Sequence, residues 1–223
     1  MPPDARPAEP SLCVVYADDA IVVLDKPSGL LSVPGRGPDK QDCLSARVVA
    51  QFADALVVHR LDMATSGLIV MALGAHAQRT LSEAFANRTV TKCYEAVVHG
   101  ALAATTDDWR VIDLPIAVDW PNRPLRVINP EPGKPSMTRL QLRGFDPLRN
   151  TSTVLLEPLT GRTHQLRVHL KAIGHPILGD ALYAPPDVVA MAQRLLLHAC
   201  ALGFAHPVSG VHMQFSSPLL GNP

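Results

Sequence analysis

The chain has 223 residues, of which 47% are hydrophobic, 18% charged and 4% aromatic. This composition is typical of a globular protein, and the length suffices for a core that needs no disulfide or metal to hold it. The formal net charge is zero, because 20 Lys and Arg side chains balance 20 Asp and Glu. That balance argues against a protein that binds nucleic acid with its whole surface.

Charge is nevertheless uneven along the chain. Residues 139–175 carry six basic and two acidic side chains, for a net of +4, whereas residues 1–58 carry five basic and eight acidic, for a net of −3. The basic segment predicts either a solvated face or a local site for anions, and charge alone does not choose between them.

The cysteines and the first residues bear on location. Cys13, Cys43, Cys93 and Cys200 are scattered without a C-x-x-C pair, which favours reduced thiols in a cytosol over a disulfide framework or a zinc site. The start, MPPDARPAEPSL, lacks the basic and apolar regions of a signal peptide. Because no apolar run approaches the roughly 18 residues of a membrane helix, we expect a cytoplasmic protein without a membrane partner.

The first quarter of the chain alternates strand and helix signals. Residues 1–11 are proline-rich and predict a loose tail. Two β-branched runs, Leu12–Tyr16 and Ala20–Leu24, flank a short acidic turn and predict a hairpin. Glycines and prolines predict a long loop over residues 26–42, and a loop of that length inside a compact domain is usually functional. A helix over Leu44–Phe52 follows.

The middle of the chain is mostly strand-like. Apolar residues at helical spacing predict a second helix over His76–Asn87. Lys92–Val98 alternates like a strand, and residues 107–135 are rich in turns, proline and tryptophan. Two further strands are predicted at Thr138–Phe145 and Thr153–Leu156.

A third helix is predicted within residues 161–176, ending at Gly174. Leu166, Leu170 and Ile173, at positions i, i+4 and i+7, are predicted to form its inward, apolar face. Arg167 and Lys171, four residues apart, lie together on another face.

The chain closes with two strands, Leu195–Phe204 and Val211–Phe215. Strands outnumber helices and many look hairpin-joined, so the fold class is predicted to be α+β, with a mixed, largely antiparallel sheet flanked by helices and loops. No repeat or linker is evident, and we expect one domain over residues 12–218, which with the neutral net charge predicts a monomer.

The stretch VVHRLDMATSGLIVMALG, residues 57–74, places Arg60 and Asp62 between two apolar runs. Burying an ionised carboxylate costs on the order of several kcal/mol unless it is paired. Asp62 is either a turn or cap residue, as the following Thr65–Ser66–Gly67 suggests, or a carboxylate kept ionised by a cation for use as a nucleophile.

The sequence HRLDMATSG, residues 59–67, resembles the catalytic motif of the RNA pseudouridine synthases of the RluA family. Further blocks match the family in order: LDKPSGLLSVPG (24–35), KCYEA (92–96), DWPNRP (119–124), GKPSMT (133–138), GRTHQLRVHLKAIGHPILGD (161–180) and RLLLHA (194–199). The resemblance covers the chain from about Cys13 to Phe215. It points to the short subgroup of that family, without a separate N-terminal RNA-binding domain.

The resemblance implies the pseudouridine synthase fold and a cofactor-free, metal-free isomerisation of uridine in RNA. Asp62 matches the family's nucleophile, and Tyr94 its active-site tyrosine, which stacks on the target base. Arg162 matches the arginine that pairs with the aspartate. In a generic protein Tyr94 would instead be a cross-strand packing residue and Arg162 a surface arginine.

The same resemblance supplies substrate-binding residues. Arg60 matches the residue that fills the space left by the flipped base, and a planar guanidinium suits that role. His59 and Leu166 fall within matching blocks and are further substrate-binding candidates. Extruding a base costs a few kcal/mol, roughly, so RNA contacts must compensate. The basic side chains Arg143, Arg167 and Lys171 are predicted phosphate contacts.

Substrates implied by the resemblance are the tRNA anticodon stem-loop and a hairpin of large-subunit rRNA, and DNA is not expected to bind. The main alternative is a catalytically silent RNA-binding protein of the same fold. A metal hydrolase is disfavoured because His164, His169 and His175 do not share a helix face. A serine hydrolase is disfavoured because G-x-S-x-G is lacking.

Overall fold

A computed structural model describes residues 12–103 and 108–217. The tail predicted over residues 1–11 lies outside the described residues. The strands are β1 (Val14–Ala17), β2 (Ile21–Lys26), β3 (Ala55–Val57), β4 (Ser66–Leu73), β5 (Thr91–His99), β6 (Arg110–Asp113), β7 (Ile116–Val118), β8 (Arg126–Ile128), β9 (Met137–Asp146), β10 (Thr151–Pro158), β11 (Leu197–Ala205) and β12 (His212–Ser216). The helices are α1 (Leu44–Gln51), α2 (Ala75–Ala86), α3 (Gln165–Ala172) and α4 (Pro186–Val189).

Most of these elements coincide with the predicted ones to within a few residues. The β1–β2 hairpin is confirmed, with a turn held by Asp18, whose Oδ1 accepts the N–H groups of Ala20 and Ile21 at 2.8 and 2.9 Å. The turn-rich segment contains β6, β7 and β8, which were not predicted, and α4 was also missed. Elements of three or four residues are too short to show a hydrophobic period.

The described strands form one ten-stranded sheet, with β7 and β8 as a separate pair. Its main order is β1-β2-β4-β11-β5-β10-β9-β6. Neighbours are antiparallel except that β4 and β11 run parallel, pairing Ser66 with His198 and Gly67 with Ala199. Gly67 has φ +109°, and a Cβ there would lie 2.4 Å from the Ala199 carbonyl oxygen, so only glycine allows this approach. The predicted mixed, largely antiparallel sheet and α+β class are confirmed.

Both faces of the sheet are covered, which explains the unbroken apolar runs of β2 and β4. Side chains alternate between faces along a strand. On one face Ile21 and Val70 belong to the cluster that packs against α2 through Leu81. On the other, Leu24 and Met71 belong to the cluster that packs against α1.

The second half of the sheet is covered by α3. Leu166 and Leu170 on α3 are buried in one cluster with Val98 on β5 and Val154 on β10, which confirms the predicted inward face for these two residues. Ile173, predicted to share that face, lies just after the helix and is 37% exposed. The β7–β8 hairpin packs on the other side of α3 through a small cluster that includes Val168. No helix among the described residues is long and apolar enough to cross a membrane.

Candidate active site

The turn that carries Asp62 lies between β3 and β4 and is held from behind by the loop after β2. Ser32 Oγ donates to the carbonyl of Leu61 at 2.8 Å and accepts its N–H at 3.1 Å. Ser28 Oγ donates to the carbonyl of Ala64 at 2.7 Å. Both sides of Asp62 are therefore fixed to one loop, which accounts for the long segment predicted after β2.

Lys26 lies beneath the same turn with its side chain fully buried. Its Nζ donates to the carbonyls of Pro27 and Leu30 at 2.8 Å and of Met63 at 3.1 Å, which uses all three of its donors. Burial lowers the pKa of Lys26 to about 8, against the opposing effect of the Asp62 charge. The ammonium joins the loop to the turn and places a cation behind Asp62.

Asp62 borders a cavity of about 490 Å³, within the size range of small-molecule sites. The lining combines apolar and basic side chains from distant parts of the chain. It includes Phe85, Tyr94, Leu166 and Leu197 together with Arg60, Arg88, Lys92 and Arg162. Such a cavity can accept the flat face of a base and the charge of a phosphate.

A second cavity of about 490 Å³ adjoins the first and shares several of its residues. Arg60, Asp62, His164 and Arg167 border both. Asp62 therefore stands at a junction that can be approached from two sides.

Arg167 is the arginine close to Asp62, with Nη1 at 3.6 Å from Oδ2. The expected partner, Arg162, lines the cavity but lies within 4.0 Å of no carboxylate among the described residues, so the predicted Arg162–Asp62 pair is wrong for this structure. The cause is local, because α3 begins only at Gln165, whose Oε1 accepts the Arg162 N–H at 3.0 Å. Arg162 thus belongs to the exposed segment before the helix, where it lines the cavity without pairing with Asp62.

Arg167 was also predicted to contact phosphate, and it is buried at the junction of the two cavities. Its side chain is 5% exposed, and Nε and Nη2 bind the two carboxylate oxygens of Asp180 at 2.8 and 2.6 Å. The guanidinium lies 5.1 Å from the ring centre of Tyr183. Arg167 is therefore held by Asp180 and shared with Asp62.

His164 faces Asp62 from the other side, with Nε2 at 3.9 Å from Oδ2. Its Nδ1 lies 2.7 Å from the Tyr183 hydroxyl, which accepts the Arg126 N–H at 3.0 Å. The Tyr183 hydroxyl donates its own proton to Nδ1 of His164, which must therefore be unprotonated. The proton of the neutral imidazole then lies on Nε2. Burial lowers the pKa of His164, which keeps the ring neutral near pH 7. Asp62 thus faces an N–H donor as well as a guanidinium.

Tyr94 lies on β5 and lines the first cavity. Burial, together with the nearby Asp62 charge, raises the pKa of Tyr94 far above its ordinary value. Its hydroxyl therefore stays protonated at neutral pH. The ring packs against two of the three large apolar clusters, so the packing role considered for Tyr94 accompanies its place in the cavity.

His59 lines the same cavity with its ring stacked on Phe85 at 4.3 Å. Its Nε2 accepts the Val70 N–H at 3.1 Å, and burial lowers the pKa of His59 to about 3. The ring is therefore neutral and fixed in place. Leu166 contributes a buried apolar surface nearby, and Arg60 is exposed at the junction of the two cavities.

Two predicted phosphate contacts stand apart from these cavities. Arg143 is exposed near the bulge between β9 and β10, towards the opposite end of that hairpin from Pro158, which lines the first cavity. Lys171 is exposed on α3 with Nζ 5.7 Å from the ring centre of Tyr183. Neither side chain borders Asp62.

Several residues around Asp62 were not predicted. Lys26, His164, Asp180 and Tyr183 were not assigned to the site, although the first three stand in the quoted blocks. A usable signal existed for Asp180, a carboxylate that ends the apolar stretch HPILG. His169 and His175 are engaged elsewhere, with the carbonyls of Leu114 and His99, so the three histidines considered as metal ligands do not converge.

Known proteins similar to this chain agree with a mixed sheet that presents a carboxylate in a nucleoside-sized cavity. Residues 20–172 match the family described as RNA pseudouridylate synthase. The dual-specificity RNA pseudouridine synthase RluA of Escherichia coli (strain K12) is 48% identical over 212 residues, covering 95% of each chain. Its counterpart from Yersinia pestis is 50% identical over 204 residues, covering 92% of this chain and 97% of the relative.

A solved structure agrees with these matches. Human RNA Pseudouridylate Synthase Domain Containing 1 superimposes with a TM-score of 0.77 at 30% identity, covering 93% of this chain and 83% of that one. The chain belongs to the RNA pseudouridylate synthase family. It is accordingly an isomerase, and its partner is RNA.

Proposed function

We propose that Asp62 is the nucleophile that opens the isomerisation of a flipped uridine. The observation that carries the proposal is its position at the edge of a nucleoside-sized cavity, facing Arg167 at 3.6 Å and the His164 Nε2–H at 3.9 Å. A cation and an N–H donor thus lie beside the carboxylate, whose ionised form is the nucleophile.

The reaction needs only protein groups. Asp62 attacks either the anomeric carbon or carbon six of the ring, the glycosidic bond breaks, and uracil turns to rejoin the ribose through carbon five. The bond from Asp62 to the substrate then breaks, carbon five loses its proton and N1 gains one, so atoms balance without a redox partner. Tyr94, protonated at neutral pH, stacks on the base, with Leu166 beside it.

RNA binding follows from the exposed cations around the cavity. Arg60 stands at the junction of the two cavities and replaces the flipped base in the RNA stack. Arg162 is proposed to contact the reacting nucleotide from its exposed segment, and His59 to form a fixed wall of the cavity. Arg143 and Lys171 are phosphate contacts only for RNA that extends beyond the cavities.

The proposed substrates are a tRNA anticodon stem-loop and a hairpin of large-subunit rRNA. Support comes from the relatives named as dual-specificity RNA pseudouridine synthases, which are 48% and 50% identical to this chain over 95% and 92% of its length. The proposal includes a cytoplasmic monomer with one catalytic domain over residues 12–218. Mapping pseudouridines in RNA from cells with and without this gene identifies the modified positions, and identical maps would contradict the proposal.

The nucleophile is tested with Asp62→Asn and Asp62→Ala. Tritium release from RNA labelled at carbon five of uridine is expected to be lost while RNA binding persists. Asp42→Asn is the matched control, because that carboxylate is exposed, pairs with Arg47 and borders neither cavity. Unchanged turnover in Asp62→Asn would refute the assignment. Wild-type protein that binds RNA without tritium release would establish the catalytically silent alternative.

The two arginines are separated by parallel lysine substitutions. Arg162→Lys is expected to lower the rate without moving the thermal midpoint, because its side chain is exposed. Arg167→Lys is expected to lower both, because one ammonium cannot reproduce the bidentate contact with Asp180. Near-normal kinetics in Arg162→Lys would remove that residue from the site.

A further inference from the structure

The β7–β8 hairpin ends in a tryptophan that the proposed chemistry does not use. Trp120 is 66% exposed, and the guanidinium of Arg123 lies 4.8 Å from the centre of its ring. Single exposed apolar side chains are ordinary on protein surfaces. An exposed indole stacked on a guanidinium presents a flat aromatic surface beside a positive charge.

The tip of this hairpin is closed by hydrogen bonds. The N–H of Asp119 donates to the Leu125 carbonyl at 3.1 Å, and the N–H of Leu125 donates to the Asn122 carbonyl at 3.0 Å. Arg123 Nε donates to the Trp120 carbonyl at 3.2 Å, which ties the stacked pair together. These hydrogen bonds order the turn that carries the indole, which lowers the entropy that the loop loses on binding.

The hairpin is continuous with the site around Asp62. Pro124, at the tip, lines the second cavity together with Asp62 and Arg60. At the base of the hairpin, the Arg126 N–H donates to the hydroxyl of Tyr183 at 3.0 Å. A polymer whose one residue enters the cavity therefore passes the tip of the hairpin.

Charge at the tip suits a polyanion. Arg123 and Arg126 are cationic, whereas the carboxylate of Asp119 is occupied by the side-chain amide of Asn122 at 3.0 and 3.2 Å. Unpaired bases stack on Trp and on Arg planes, and this contact tolerates any base.

We infer that Trp120 is a stacking platform for a second unpaired nucleotide of the RNA loop that delivers the target uridine. The inference rests on the proposed function, because it assumes that RNA occupies the cavities at Asp62. It assigns to Trp120 binding energy that helps offset the cost of extruding the target base, without a part in bond making.

The test uses the two tryptophans of the chain, Trp109 and Trp120. In Trp109→Phe protein, Trp120 is the only indole emitter, and a synthetic tRNA anticodon stem-loop is titrated against it. Stacking is expected to quench Trp120 emission with the same midpoint as RNA binding followed by anisotropy. RNA that binds without changing this emission would overturn the inference.

Kinetics give a second readout. Trp120→Ala is expected to raise the KM for the stem-loop by about 5- to 150-fold with kcat nearly unchanged, and Trp120→Phe to retain most of the affinity. Trp109→Ala is the matched control, because Trp109 also stacks on an arginine, Arg139 at 4.6 Å, yet borders neither cavity. An unchanged KM in Trp120→Ala, or an equal rise in Trp109→Ala, would overturn the inference.

Wild-type protein separates this inference from its premise. If it converts the stem-loop while Trp120→Ala matches it in every constant, the platform fails and the proposed function stands. If it neither binds nor converts the stem-loop, the proposed substrate fails, and the platform with it.

Discussion

Replacing Asp180 by alanine removes the main partner of a buried arginine. The Arg167 side chain is 5% exposed and that of Asp180 is fully buried, and two hydrogen bonds of 2.8 and 2.6 Å join them. Without Asp180, Asp62 at 3.6 Å is the one carboxylate within 4.0 Å of the guanidinium in the described parts of the chain. Removing one partner of a buried pair costs about 3–5 kcal/mol, because an uncompensated charge stays behind.

That cost translates into a large thermal shift. In a protein of this size each kcal/mol moves the midpoint by roughly 2–4 °C, so Asp180→Ala is expected to lower it by roughly 6–20 °C in calorimetry. Turnover should fall as well, because Arg167 then pairs more closely with Asp62 and lowers the reactivity of its carboxylate. The control is Asp42→Ala, which breaks a pair of the same 2.6 Å length at an exposed carboxylate and should change the midpoint little. A shift as small as that of the control would refute the reasoning.

Two further perturbations test the packing around the site. The pKa of His59 is about 3 in the folded protein and near 6.5 when unfolded, so below pH 6.5 the unfolded chain binds a proton that the native one does not. This contribution to stability is complete above pH 6.5 and is lost as pH falls towards 3, by up to about 1.4 kcal/mol per pH unit. In urea unfolding, the free energy of unfolding of His59→Gln should therefore fall less steeply with pH than that of the wild type, by the same amount. Equal pH dependence in the two proteins would contradict this. Gly67→Ala should strongly reduce the yield of soluble, folded protein, because the new Cβ meets the β11 backbone. Gly144→Ala is the control and should fold normally, because a Cβ at Gly144 has no atom within 4 Å. Equal thermal midpoints for the two variants would show that β4 and β11 can separate at little cost.

The sheet and its helices were largely predictable, because β2, β4 and β11 carry long apolar runs and α2 and α3 carry helical spacing. Helix ends were also predictable, as at Gly174, which has φ +86° after α3. The short strands β6, β7 and β8 were not readable, since three or four residues show no period. The parallel pairing of β4 with β11 joins residues far apart in sequence and leaves no local trace.

Which residues line the site was predictable from the sequence, but which side chains pair with each other was not. The motif blocks brought Asp62, Tyr94 and Arg162 to one cavity. Helical spacing put Arg167 and Lys171 on one face, and it could not show that Asp180, from the loop after α3, would draw one guanidinium into the interior and leave the neighbouring ammonium outside. Which of two nearby cations meets a carboxylate depends on tertiary contacts, and sequence spacing does not report them.

The position of β11 has a consequence during protein synthesis. This strand lies between β4 and β5 in the sheet, although it follows both by about a hundred residues in the chain. A nascent chain can pair β1, β2 and β4 on one side and β5, β9 and β10 on the other, but among the described strands β11 is the one that hydrogen-bonds to both β4 and β5. Leu197, the first residue of β11, is also a wall of the cavity. A chain truncated shortly before β11 carries every proposed reactive group but lacks the strand that joins the two parts of the sheet, so we expect unfinished copies to be inactive on RNA.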